Sequence, residues 1–269
     1  MQEKRTLSGF QVILMSVAAG VSVANIYYNQ PILKDIAESF NVTEGKVGTI
    51  SMLSQIGYGL GLFFLVPLGD KINKKNLILT LLSLLFITLL LMALSASITE
   101  VLVLSLLIGI LSVSVQVILP MAASLDSVNR GRTVGTIFTG ILIGILAARV
   151  FSGFVAEWMG WRYVYGISAG LILSVLVLLR IYLPDVRNEF KGHYFQLLQS
   201  ALLQIKRFSL LREASLVGGL LFGVFCSFWT TLTFHLSGAP FNFHANVIGL
   251  FGLVAIAGAL MAPVFGKLA

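Results

Sequence analysis

Arg149 is a cation in the middle of an apolar run. No other charged residue occurs from Thr133 to Ala156, and Arg149 lies sixteen positions past the start of that run. On insertion scales a guanidinium at the centre of a membrane helix costs about 2.5–3.5 kcal/mol, so such a residue faces a cavity or a partner and marks an ion or solute path. Two kinds of chemistry are open to it: anchoring an anion or another solute, or a place in a proton relay. A guanidinium that snorkels to the surface, or is paired only for structure, is the alternative. A second group lies far ahead of it in the chain. Tyr27, Tyr28, Asn29 and Gln30 are four hydrogen-bonding side chains in succession, followed by Pro31. They would be costly facing lipid, so they line a water-filled cavity or hydrogen-bond another helix. Pro31 removes a backbone donor and breaks regular helix bonding there. Gln116 with Pro120, and Trp229 with His235, are lesser polar points in otherwise apolar runs.

Carboxylates are missing from the middle of every apolar run. Asp35, Glu38 and Glu157 lie at one set of ends and Asp126 at the other. Proton coupling needs a titratable group in the path. It would fall to an end group such as Asp35, or to residues beyond this chain. The sequence holds no metal-ligand cluster, catalytic triad or phosphate loop. Gly57, Gly59 and Gly61 lie inside an apolar run, where glycines serve helix packing. The single cysteine, Cys226, cannot form an internal disulfide. No metal, cofactor or ATPase domain is implied, and the lack of paired catalytic groups argues against an enzyme.

The elements that must hold these side chains are membrane spans. Hydrophobic residues make up 57% of the 269 residues and charged residues 11%, with a mean hydropathy of +0.95. A soluble domain carries roughly 25% charged residues, so this chain cannot cover a water-facing surface, and lipid is its solvent. A span needs about 20 apolar residues. Eight are predicted, at 9–33, 47–69, 76–97, 101–124, 133–156, 162–183, 214–236 and 246–266; the turn-rich stretch from Ser237 to Asn242 separates the last two. The first is too long to be a cleaved signal peptide. The net charge of +7 is unevenly placed. With the N-terminus inside, the cytoplasmic segments hold Lys4, Arg5, Lys71, Lys74, Lys75, Arg130, Arg132, Arg180, Arg187, Lys191, Lys206, Arg207, Arg212 and Lys267. The outer loops hold Lys34, Lys46 and Arg162. This is the positive-inside bias, not a nucleic-acid surface.

Between Pro184 and Glu213 the chain turns polar. Tyr194, Leu198, Ala201, Leu202, Ile205 and Phe208 recur there at helical spacing, which predicts an amphipathic helix on the inner membrane face. Phe40-Asn41 precedes Gly48 as Phe241-Asn242 precedes Gly249, and Val66-Pro67-Leu68-Gly69-Asp70-Lys71 has a counterpart in Ala262-Pro263-Val264-Phe265-Gly266-Lys267. A repeat that long in an apolar chain points to two similar bundles. The expected organisation is a first six-span bundle over 1–183, a cytoplasmic linker over 184–213, and the first two spans of a second bundle over 214–269.

Six spans, a long linker and a restarted repeat resemble the major facilitator superfamily over the whole chain. The stretch Ala24-Asn25-Ile26-Tyr27-Tyr28-Asn29-Gln30-Pro31 is similar to the first span of its bacterial drug and sugar efflux permeases. The loop after span two follows the pattern Gly-x-x-x-Asp-Arg-x-Gly-Arg-Arg as Val66-x-x-x-Asp70-Lys71-x-Asn73-Lys74-Lys75, with both glycines replaced. That likeness implies a conformational latch at Asp70, Lys71, Lys74 and Lys75: a carboxylate at a span end can cap a neighbouring helix or hold a nearby cation in one state of the cycle. Lysines that only set topology are the alternative. Span five matches the efflux pattern Gly-x8-Gly-x3-Gly-Pro-x2-Gly-Gly with Gly135, Gly144, Ala148, Arg149, Ser152 and Gly153, small residues for helix packing with arginine in place of proline. The family's span-four arginine is replaced by Ser105.

The resemblance implies an all-α integral membrane fold, a major-facilitator-like bundle with its first half followed by two spans of the second. It implies a multi-pass protein of the bacterial inner membrane, both termini cytoplasmic, that exports small organic solutes by alternating access. Cavity residues would be Tyr27, Tyr28, Asn29, Gln30, Gln116, Arg149 and Trp229. Expected partners are the lipid bilayer, a small-molecule substrate and, if transport is coupled, protons. Family members have twelve spans, so the other expectation is a truncated fragment without transport activity of its own.

Overall fold

The computed structural model describes residues 6–185 and 192–253, and among them all regular structure is helical. The first apolar run forms α1 (Gly9–Ala24), a 3-10 turn at Gln30–Ile32 and α2 (Leu33–Phe40). The next is α3 (Glu44–Phe64) with the short α4 (Leu68–Lys71). Then come α5 (Lys74–Ala93), α6 (Ile98–Leu111), α7 (Ser114–Leu125), α8 (Arg130–Met159) and α9 (Trp161–Tyr182). After them lie α10 (Tyr194–Arg207), α11 (Ser209–Ser237) and α12 (Ala245–Leu250), followed by a 3-10 turn at Phe251–Leu253. Six stretches among the described residues are long and apolar enough to cross a membrane: Glu44–Lys71, Lys74–Ala93, Ile98–Leu125, Arg130–Met159, Trp161–Tyr182 and Ser209–Ser237. α1 is a shorter apolar helix. Most of the predicted span at 246–266, and the second copy of the loop motif, lie outside the described residues.

Local sequence sets the helix ends. Ser8 and Gln11 form a reciprocal capping box at the start of α1. Asn73 accepts from the Lys75 and Asn76 amides and starts α5. Gly160, at φ 97°, makes the corner between α8 and α9 that a side chain would strain. The first span departs from a single helix over 9–33. Pro31 has no amide proton and its ring crowds the turn before it. The chain answers with three-residue turns, Ile26 donating to Val23 and Tyr27 to Ala24, and then re-enters helix beyond the span, as far as Phe40.

The helices pair closely. α1 runs along α8, α3 along α6 and α5 along α9. Gly57 and Gly61 bring α3 onto the backbone of α6 at Leu106 and Ile110, and Gly109 brings α6 onto Ser54. Gly59, two positions from each of the first pair, faces open space. α12 lies against α8, while α11 buries only Trp229, Thr233, Leu236 and Ser237. α11 starts at Ser209, so Arg212 and Glu213 lie within the helix rather than preceding it.

Candidate functional site

Arg149 is 1% exposed, in the middle of α8. Its Nε donates to Gln30 Oε1 at 2.8 Å and its Nη1 donates to the Ile145 carbonyl at 3.1 Å. The guanidinium carbon lies 4.4 Å from the centre of the Trp229 ring, 5.0 Å from Tyr27 and 5.7 Å from Phe225. Gly252 closes over the side-chain stem; a Cβ there would lie 3.1 Å from Arg149 Cβ. The cage therefore draws on α8, on the break after α1, on α11 and on the turn after α12. Two of its donors, Arg149 Nη2 and Trp229 Nε1, are buried without a hydrogen-bond partner among the described residues. No carboxylate among the described residues pairs with Arg149. A fixed cation, aromatic faces and spare donors equip the site to hold a solute rather than to break a bond.

The break after α1 distributes the four polar residues before Pro31 among different neighbours. Tyr27 and Gln30, three apart on a three-residue turn, both meet Arg149. The Tyr28 ring instead packs on Phe151, at 5.4 Å. Asn29 ties the break to α3, where its Oδ1 accepts from Ser51 Oγ at 2.7 Å and its Nδ2 donates to Ser54 Oγ at 3.4 Å. Gln116 stands apart from the cage and donates to the Tyr58 hydroxyl at 2.9 Å. It lines a cavity of about 340 Å³ shared with Asp70, Lys74 and Ser200 of α10. His235 packs its ring on Phe241.

In the loop after α3, Lys74 Nζ lies 3.9 Å from Asp70 Oδ1, and the carboxylate is largely exposed. A pair that open contributes little to stability. The N-terminus of α5 is capped by Asn73, whose Nδ2 also donates to Asp185 Oδ1 at 3.2 Å. Lys71 is exposed and Lys75 half-buried. Along α8, Gly144 meets the backbone of Gly20 and Gly153 meets that of Ala245, while Gly135 faces open space. Ala148 and Ser152 are buried, and the Ser152 hydroxyl donates to the Arg149 carbonyl.

Sequence reasoning missed three contributors. Phe225 sits one helical turn before Trp229, so aromatic spacing on α11 was its signal. Gly140 meets Ser16 and lies four residues before Gly144, a small-residue spacing that marks a close crossing. Gly252 carried no signal of its own.

A second polar group lies one turn beyond Gln30. Pro31, Lys34, Asp35, Glu38, Asn242 and His244 line a cavity of about 180 Å³. Lys34 Nζ donates to the Ser237 carbonyl at 2.9 Å and lies 3.9 Å from Glu38. His244 Nδ1 lies 3.4 Å from Glu157 Oε1. Asp35, beyond the end of its span, is pushed up to about 6 by burial first and then by the nearby charges of Glu38 and Glu157.

The sequence model of the Major Facilitator Superfamily matches residues 15–269. The uncharacterized transporter YgaY of Escherichia coli O157:H7 is 40% identical over 91% of this chain and 62% of its own length. The inner membrane transport protein YnfM of Escherichia coli (strain K12) is 27% identical over 96% of this chain and 63% of its own. A crystal structure of a bacterial homologue of the human lysosomal transporter Spinster superposes on all of this chain and 64% of that one, with a TM-score of 0.71 at 14% identity. The chain thus spans less than two thirds of the length of these proteins.

Proposed function

The chain belongs to the Major Facilitator Superfamily, as a multi-pass membrane transporter and not an enzyme, and from that premise we propose that it exports a small organic solute across the bacterial inner membrane by alternating access. The observation that carries this reading is the buried guanidinium of Arg149, held at a helix break and left without a counter-ion among the described residues. An ion so costly to bury is kept where a solute meets it. The likeness of the first span to efflux permeases supports the outward direction. Cells expressing the transporter are expected to enrich their medium several-fold in one or a few small organic solutes over cells expressing its Arg149→Ala form. Identical media, scored by mass spectrometry, would overturn the reading.

Asp35 is the group through which we couple export to protons. In the conformation described it takes up a proton as pH falls through about 6; exposed to water, it would do so only near 4. Between those values the described conformation binds more protons, so acid favours it and the preference fades above pH 6. Asp35→Asn is expected to make export insensitive to collapse of the proton gradient. Retained sensitivity would rule the residue out as the coupling group.

The distribution of Lys and Arg supports cytoplasmic termini. In a Cys226→Ser background, an impermeant maleimide added to intact cells is expected to label Ala239→Cys and spare Lys71→Cys, both exposed positions. The reverse pattern would invert the topology.

A further inference from the structure

We propose that the solute is an organic monoanion, a carboxylate on an apolar body, bound by the two spare donors of the Arg149 cage; this rests on the transporter reading above. Arg149 Nη2 and the Trp229 indole N–H are both buried and both lack a partner among the described residues. The side chains that carry them are neighbours, the guanidinium carbon lying 4.4 Å from the Trp229 ring centre. Both groups only donate, so what completes the site must accept two hydrogen bonds within a short span. A carboxylate does this with two oxygens. A buried donor left unmade is expensive, and more so when charged, which gives such a ligand a large advantage over water.

Charge narrows the class further. The two acceptors and three rings that contact the guanidinium bring no negative charge. Gln30 is neutral, Ile145 contributes a carbonyl, and Tyr27, Phe225 and Trp229 present rings. The site therefore carries one net positive charge, and a monoanion neutralises it. A dianion would leave a negative charge in an apolar site, and a cation would add a second positive one; either is penalised at low dielectric. The rings and Gly252 form an apolar wall beside the donors, suited to an aromatic or alkyl body rather than to a sugar.

The test is thermal unfolding of the full transporter in detergent with matched probes: benzoate, cinnamate and octanoate against their primary amides and the corresponding amines. At least one carboxylate is expected to raise Tm saturably, with its amide binding at least about tenfold more weakly, as a charge-assisted bond to Arg implies. Arg149→Lys, which keeps the charge but loses the planar fork, is expected to weaken that carboxylate about tenfold or more. Trp229→Phe keeps the ring and removes the N–H, and is expected to weaken it several-fold; it guards against a folding defect in the Arg149 variant. Amides that match their acids, amines that raise Tm, or no effect from any carboxylate would overturn the proposal. A neutral solute found in the medium of expressing cells would also overturn it while leaving the transporter reading intact.

Discussion

Arg149→Gln is expected to lower transport at least about a hundredfold, or about 2.7 kcal/mol in the barrier, while the variant folds as well as wild type. The two halves of that result come from opposite signs at one residue. The buried guanidinium costs about 2.5–3.5 kcal/mol to place in the membrane. Its contact with aromatic faces returns about 0.5–2 kcal/mol, and its charged bond to Gln30 about 1.5–3 kcal/mol. These nearly cancel, so removing the charge should leave Tm and yield close to wild type. A structural arginine would behave differently: its loss would lower stability and transport together. Transport measured per folded molecule decides between them. Near-normal rates for Arg149→Gln and Arg149→Leu would show that the cage is not the solute site.

The sequence makes Arg149 conspicuous for a simple reason: charge in an apolar run needs no partner to be noticed. Its surroundings were harder to read. Tyr27, Tyr28, Asn29 and Gln30 look equivalent in a string, and only the turn imposed by Pro31 sends Tyr27 and Gln30 to Arg149, Tyr28 to Phe151 and Asn29 to Ser51 and Ser54. The same proline marked a break in the helix, yet α2 beyond it was invisible, because Lys34, Asp35 and Glu38 read as loop charges. The six long apolar stretches and the all-helical character of the described residues followed from hydropathy and length, which depend on local composition. The pairing of Glu157 with His244, and of Lys34 with the Ser237 carbonyl, depends on segments far apart in the chain. No periodicity reports such contacts. Trp229 stood out only as a lesser polar point in an apolar run, since α11 buries one short stripe and its remaining apolar residues carry the same signal.

Gly57→Val is expected to abolish a monodisperse folded species, whereas Gly59→Val is expected to change yield little. Between helices in lipid there is no hydrophobic drive to associate, because the tails are as apolar as the side chains; close packing of small residues takes its place. α3 and α6 use that route. A Cβ on Gly57 would overlap the Leu106 carbonyl oxygen and lie 3.1 Å from the Ile110 amide nitrogen. Both are backbone atoms of a helix, which cannot swing aside like the end of a side chain. The reciprocal face is equally tight, since a Cβ on Gly109 would overlap the Ser54 carbonyl oxygen. Overpacking a soluble core costs about 1–3 kcal/mol and occasionally more. Here the two helices must separate along their whole crossing, and the dispersion contacts on both sides of it are lost together. The separation would also move Ser51 and Ser54 away from Asn29, and with them the break that aims Gln30 at Arg149. Gly59 faces open space, so valine there adds a side chain to the lipid-facing surface. Fluorescence-detected size exclusion of the two variants, with Gly109→Val as a second member of the tight set, separates the cases. Gly57→Val and Gly59→Val running as equal, symmetrical peaks would show that the close crossing of α3 and α6 does not hold the bundle together.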